Sequence, residues 1–219
     1  MKQDYTDITL VLDKSGSMVS IWQSAINSID SFFSDQGKLP GECRVSVFTF
    51  DVNFNCLVRH QDIRNSEAID SLRKTHTGGY TALYDAVGHA INNTGKRLAA
   101  LREEDRPSNV LFVIQTDGYE NASKEFSLSK VKEMINHQKE KYNWHFVFLG
   151  ANIDAEGVGQ SIGIGFDTSV NYAFNAAGVS NVYSSLNTKT AKLRTREANS
   201  ISFTQDDKEQ ILTETNKFH

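Results

Sequence analysis

Three short segments of the 219-residue chain carry oxygen-bearing side chains where chemistry is done. Asp13, Ser15 and Ser17 alternate in Asp13-Lys14-Ser15-Gly16-Ser17, Thr81 follows Gly78-Gly79-Tyr80, and Asp117 lies in Thr116-Asp117-Gly118. Carboxylates and hydroxyls are hard donors. Two carboxylates with three hydroxyls suit Mg²⁺ or Mn²⁺, which take octahedral oxygen shells and keep positions for water or an outside ligand. A cation held by so few anions stays electrophilic, which favours an anionic group from a partner. The competing reading has Asp13 and Ser15 capping a helix and Asp117 opening a turn. It fits any one loop, but three loops with matching donors argue for the ion.

The elements that must bring these loops together are legible as periodicity. Residues 8–12 (ITLVL) form a continuous apolar run, as in a strand covered on both faces, and residues 109–115 and 144–149 do the same. From Met18 the apolar positions Ile21, Trp22, Ala25, Ile26, Ile29, Phe32 and Phe33 recur at helical spacing until Gly37 and Pro40. Residues 43–50 and 54–59 read as a hairpin around 51–53. Helices are expected over 66–73, capped by Ser66, then from Leu83 to Leu101, from Leu128 to Ile135, over 155–162, and over 176–196, with a short last strand at 168–172. Buried strands alternating with amphipathic helices imply a Rossmann-like, doubly wound α/β sheet, mostly parallel, with one antiparallel edge strand and helices on both faces. In such sheets ligands sit at the carboxyl ends of the strands, near the point where strand order reverses. Asp13 and Asp117 each end a strand and precede a helix. For residues 13, 15 and 17 to point inward together the loop must fold sharply, which Gly16 permits.

Asp13-x-Ser15-x-Ser17 after an apolar strand, Thr81 in Gly-Gly-x-Thr-Ala-Leu, and Thr116-Asp117-Gly118 after another strand resemble the metal-ion-dependent adhesion site of the von Willebrand factor type A domain family. All three parts stand in the family's order, and the likeness in fold runs over roughly residues 4–196. The resemblance implies an ion held by Ser15, Ser17 and Thr81, with Asp13 and Asp117 bound directly or through water. It also implies that an acidic residue of a partner protein completes the shell. Lys14, Tyr80 and Tyr119 flank the site and are expected at the partner interface. The wording around Thr81 resembles stand-alone intracellular bacterial or phage members, among whose partners are AAA+ ATPases and stress-response complexes.

Other classes are disfavoured. Phosphatases that begin with a strand-end Asp need a second acid two residues on, and position 15 is Ser; no phosphate loop, nucleophile elbow or H-E-x-x-H occurs. The expectation is therefore not an enzyme, a metal-dependent phosphoryl hydrolase being the alternative. The net charge of −4 supplies no overall field for nucleic acid. A nucleic-acid module would rely on Lys189, Lys192, Arg194 and Arg196 or on Lys96, Arg97, Arg102 and Arg106, which lack interleaved aromatics. The six histidines show no ligand spacing, and Cys43 and Cys56 read as small buried hydrophobes. No run approaches the roughly 18 apolar residues of a membrane span, and no signal peptide is evident, so a cytoplasmic protein without membrane contact is expected. Residues 1–198 are expected to form the domain. Residues 199–219 form a tail whose Phe203, Ile211, Leu212 and Phe218, with a Thr204 cap and Asp207 in the first turn, suggest a short docked helix.

Overall fold

Residues 8–12 place β-branched and leucine side chains on both faces of a strand, and that strand, β1 (Lys2–Asp13), lies in the middle of the sheet. The computed structural model describes residues 1–213. After β1 come a 3₁₀ turn (Gly16–Ser20), α1 (Trp22–Lys38), β2 (Glu42–Phe50), β3 (Phe54–Asp62), α2 (Ala68–Arg73) and α3 (Leu83–Ala99). The second half runs β4 (Pro107–Thr116), α4 (Leu128–Tyr142), β5 (His145–Gly150), α5 (Ala155–Ser161), β6 (Ser169–Asn171), α6 (Ala176–Arg194) and α7 (Gln205–Leu212). The six strands lie in the order β3-β2-β1-β4-β5-β6, all neighbours parallel except β2 and β3. The expected doubly wound sheet with one antiparallel edge is the observed one.

Alternation along β1 divides the core into two layers. Ile8, Leu10 and Leu12 pack with α1, α2, α6 and α7, where Phe32, Tyr183 and Ile211 are buried. Val11 faces the other way, with Phe112 and Ile114 of β4, towards α3 and α4. Because β2 lies on one side of β1 and β4 on the other, the strand order reverses between β1 and β4, and a crevice opens at their carboxyl ends. Among the described residues no helix is long and apolar enough to cross a membrane.

Several local expectations need correction. The helical pattern that starts at Met18 is a 3₁₀ turn first, and α1 begins only at Trp22, because the loop must return Ser15 and Ser17 to the sheet end before the helix starts. Ser66 accepts a hydrogen bond from the Ala68 amide, yet Glu67 holds the cap position of α2. Cys56 is exposed on the outer strand and only Cys43 is buried, since the outward positions of β3 have no layer above them. That strand also pairs irregularly, with register shifts near Val45 and Val47 and with His60 in the left-handed region at φ 55°.

Within residues 199–213, read from sequence as the start of a tail, the structure places α7 and its cap. Thr204 Oγ1 accepts the Asp207 amide at 3.2 Å, and Asp207 Oδ2 accepts the Thr204 amide at 2.7 Å, a reciprocal capping box. Ile201, Phe203 and Ile211 are buried, and Lys208 Nζ reaches Glu156 Oε1 at 2.6 Å and lies 3.6 Å above the Phe166 ring. Phe218 lies outside the described residues.

Candidate metal centre

The three donor loops meet above the carboxyl ends of β1 and β4. Asp13, the last residue of β1, is fully buried: Oδ1 accepts the Ser15 amide at 2.7 Å and Oδ2 accepts the Thr116 hydroxyl at 2.6 Å. Ser17 Oγ donates to Asp117 Oδ1 at 2.7 Å and lies 3.2 Å from Ser15 Oγ. Ser15 holds the cap position of the turn that follows it, but its side chain makes no capping bond there. Thr81 is buried beside them. A Cβ built on Gly118 would fall 3.2 Å from Thr81 Oγ1 and 4.0 Å from Ser17 Oγ, so only a residue without a side chain leaves the space between these hydroxyls open.

Other residues clamp the loops, and Asn121, Asp85 and Glu120 among them were not singled out from sequence. Thr81 donates its amide to Asn121 Oδ1 at 2.9 Å and accepts the Asn121 amide at 3.0 Å, which ties the second loop to the third. Gly78 N donates to Lys14 O, and Gly16 N to Gly79 O, which ties the first loop to the second. The left-handed residue in this junction is Gly79, at φ 85°, rather than Gly16, which the sharp-turn expectation had named. A Cβ at Gly79 would also meet Asp51 at 3.2 Å. Asp85 accepts the amides of Lys124, Glu125 and Phe126 at 2.7–2.9 Å, and Glu120 accepts those of Tyr84, Ala122 and Ser123 at 2.7–3.0 Å. Asp51, an acid at the end of β2, offered the same strand-end signal as Asp13 and Asp117. The roles of Asn121, Glu120 and Asp85 depend on contacts across the fold and leave no local trace.

Charge around the centre is unbalanced in a telling way. Burial pushes the Asp13 carboxyl up to about 6, against the hydrogen bonds from Thr116 and Ser15, with the nearby Asp117 adding to the rise. Asp117 is also raised by burial, against its bond from Ser17. Asp117 Oδ2 is buried with no hydrogen-bond partner. Lys14, which flanks the centre in sequence, is ion-paired with Asp51. Two desolvated carboxylates, an orphaned carboxylate oxygen and three converging hydroxyls with no protein cation among them form a donor set that fits a hard divalent cation. Among the described residues no group of three or more His, Cys, Asp or Glu is gathered to hold a metal ion.

Six of the eight basic residues in the two stretches are engaged in ion pairs or hydrogen bonds, while Lys96 and Lys192 are exposed. Lys189 pairs with Asp207 at 2.6 Å, Arg194 donates to the carbonyls of Gln36 and Pro40, and Arg196 donates to Gln3 O. Arg97 pairs with Asp7, Arg102 with Glu104 and Asp105, and Arg106 bonds the Leu101 and Ala99 carbonyls.

The family model described as von Willebrand factor type A domain matches residues 7–181. No curated protein matches the chain in sequence. Among solved structures, proximal thread matrix protein 1 from the mussel byssus, with a zinc-occupied MIDAS motif, superposes with a TM-score of 0.64 at 16% identity over 85% of this chain and 46% of that one. The pilus adhesin SpaC from Lactobacillus rhamnosus GG gives 0.66 at 14% identity, covering 88% and 31%. A von Willebrand factor type A protein from Catenulispora acidiphila gives 0.62 at 12%, covering 85% and 42%. This chain thus spans less than half of each of these three solved chains, and the likeness to them is one of fold.

Proposed function

The chain belongs to the von Willebrand factor type A domain family, whose domains are generally interaction modules that commonly work through a divalent metal. From that premise we propose that it is a metal-dependent protein-binding domain with no catalytic step of its own. Ser15, Ser17 and Thr81 would hold the ion through their hydroxyls, with Asp13 and Asp117 contributing directly or through water; the set of hard oxygens favours Mg²⁺ or Mn²⁺. When bound, the ion supplies an electrophilic position that accepts a carboxylate from another protein. The observation that carries the reading is the buried, unpartnered Asp117 Oδ2 beside a buried Asp13 with no protein cation to neutralise either.

Ser17 orients Asp117 through its hydroxyl, Thr116 and the Ser15 amide hold Asp13, and Asn121 fixes the height of Thr81. A hydrolase would need a second acid positioned on a leaving group, and position 15 offers a hydroxyl instead.

Calorimetric titration with Mg²⁺ and with Mn²⁺ tests the reading. Wild type should bind one ion per chain, and Asp117→Ala and Asp13→Ala should bind none measurably. Identical titrations of wild type and Asp117→Ala would overturn it.

A further inference from the structure

Among the described residues nine large apolar side chains are exposed, and four of them stand on the loops that surround the candidate metal centre. They are Tyr80 (70% exposed), Val19 (67%), Tyr119 (56%) and Val52 (52%). Val19 follows Ser17 by two residues, Tyr80 precedes Thr81, Tyr119 follows Gly118, and Val52 follows Asp51, which touches Gly79. The position of Tyr119 is held from its far end, because its hydroxyl accepts the Asp154 amide at 3.2 Å. Exposed apolar side chains scattered singly need no explanation, whereas four around one site form a crown.

Beside the centre these loops carry little usable charge, their other exposed charges, Lys74, Lys124 and Glu125, standing towards α2 and α4. Over residues 14–20, 51–53, 77–82 and 117–123 the formal charges are Lys14, Asp51, Asp117 and Glu120. Lys14 and Asp51 neutralise one another, Glu120 is taken up by backbone amides, and Asp117 belongs to the centre. Charged residues flanking a bound carboxylate would meet no counter-charge here, while apolar ones would cover the crown and remove its surface from water.

We infer that the domain selects an acidic residue set among apolar or aromatic neighbours: a partner segment in which one Asp or Glu reaches the centre and large apolar side chains on either side pack on Tyr80, Val19, Val52 and Tyr119. This rests on the metal-dependent reading above and adds to it the chemistry of the partner. Excluding water around the carboxylate also strengthens its attraction to the cation, so rim and centre reinforce one another.

The test is an array of synthetic peptides with a central Asp or Glu and systematically varied flanks, probed with the full chain in Mg²⁺ and in EDTA. Matching peptides carry a central Asn or Gln. Apolar or aromatic flanks should bind about tenfold more tightly than flanks of Ser or Lys. That binding should vanish in EDTA and with Asn or Gln at the centre. The triple variant Val19→Ser, Val52→Ser, Tyr80→Ser should lose the flank preference while titrating Mg²⁺ as wild type does, which separates the crown from the ion and reports an intact fold. Binding that needs the ion and the carboxylate but ignores the flanks, or prefers charged ones, would overturn this inference and leave the metal-dependent reading standing. Absence of any binding that depends on both ion and carboxylate would overturn both.

Discussion

Asp7 and Asp13 lie on one face of the same strand, six residues apart, and both are fully buried, yet the protein treats them in opposite ways. Around Asp7 the chain supplies everything a buried carboxylate needs. Arg97 Nη2 donates at 2.7 Å to one oxygen, and Tyr5 Oη at 3.1 Å and His60 Nδ1 at 3.3 Å surround the other. Burial alone would raise the Asp7 carboxyl, but the His60 hydrogen bond and the Arg97 charge outweigh it and hold the group below the ordinary carboxylate range. Asp13 receives two hydrogen bonds and no cation, and burial raises it. A carboxylate completed from within is architecture; one desolvated and left short of positive charge is a place for something from outside.

That contrast breaks most severely if its internal partner is removed. Arg97→Met leaves Asp7 buried without its cation, and urea denaturation should show a loss of about 3 kcal/mol. Little or no loss would mean that Tyr5 and His60 suffice and that the contrast is one of hydrogen bonding.

At the other end of the strand the sign should invert. Asp13→Asn removes a desolvated charge and should stabilise the metal-free protein by about 1–2 kcal/mol at neutral pH, while Mg²⁺ binding disappears. Chelation of wild type should leave the far-ultraviolet circular dichroism unchanged, because both core layers form without the centre. A metal-free Asp13→Asn less stable than wild type, or unfolding in EDTA, would make that end structural as well.

Acid titration sharpens the comparison further. Because Asp7 is held below its unfolded-state value near 3.8, the stability it confers is complete above that pH. It is lost as pH falls through the folded-state value. The fall in urea midpoint below about pH 4 should therefore be shallower in Asp7→Asn than in wild type.

The smallest effects belong to single hydroxyls. Ser15→Ala and Thr81→Ala should change stability by no more than about 0.5 kcal/mol and weaken Mg²⁺ about tenfold by calorimetry. A large drop in stability would assign those hydroxyls to packing.

The legibility of the two carboxylates differs as much as their roles. Asp13 was readable because a strand-end acid followed by alternating serines is a local pattern; Asp117 repeats the strand-end position, and Thr81 stands in a glycine-led loop just before a helix. Asp7 was not, since the apolar run begins at Ile8 and the strand's polar first half, Lys2 to Asp7, carries no periodic signal; its cation comes from 90 residues away. The cap at Thr204 was readable for the same reason as Asp13, whereas the docking of Lys208 on Glu156 and Phe166 needed the fold. Nor do five oxygen donors carry an address: neither a compartment nor the identity of a partner is written in them.

The irregular outer strand has a consequence for how the molecule behaves in a crowd. An open sheet has two borders whose unpaired amides and carbonyls invite another sheet. Here one border, β3, is kinked by its register shifts and by left-handed His60, and the other, β6, is three residues long with α7 packed beside it. Neither offers a straight template on which a foreign strand could grow. A domain proposed here to bind partners at the top of its sheet is thereby kept from sticking to them, or to its own copies, at the sides, and it should stay monodisperse at concentrations where a flat-edged sheet of equal size would gel.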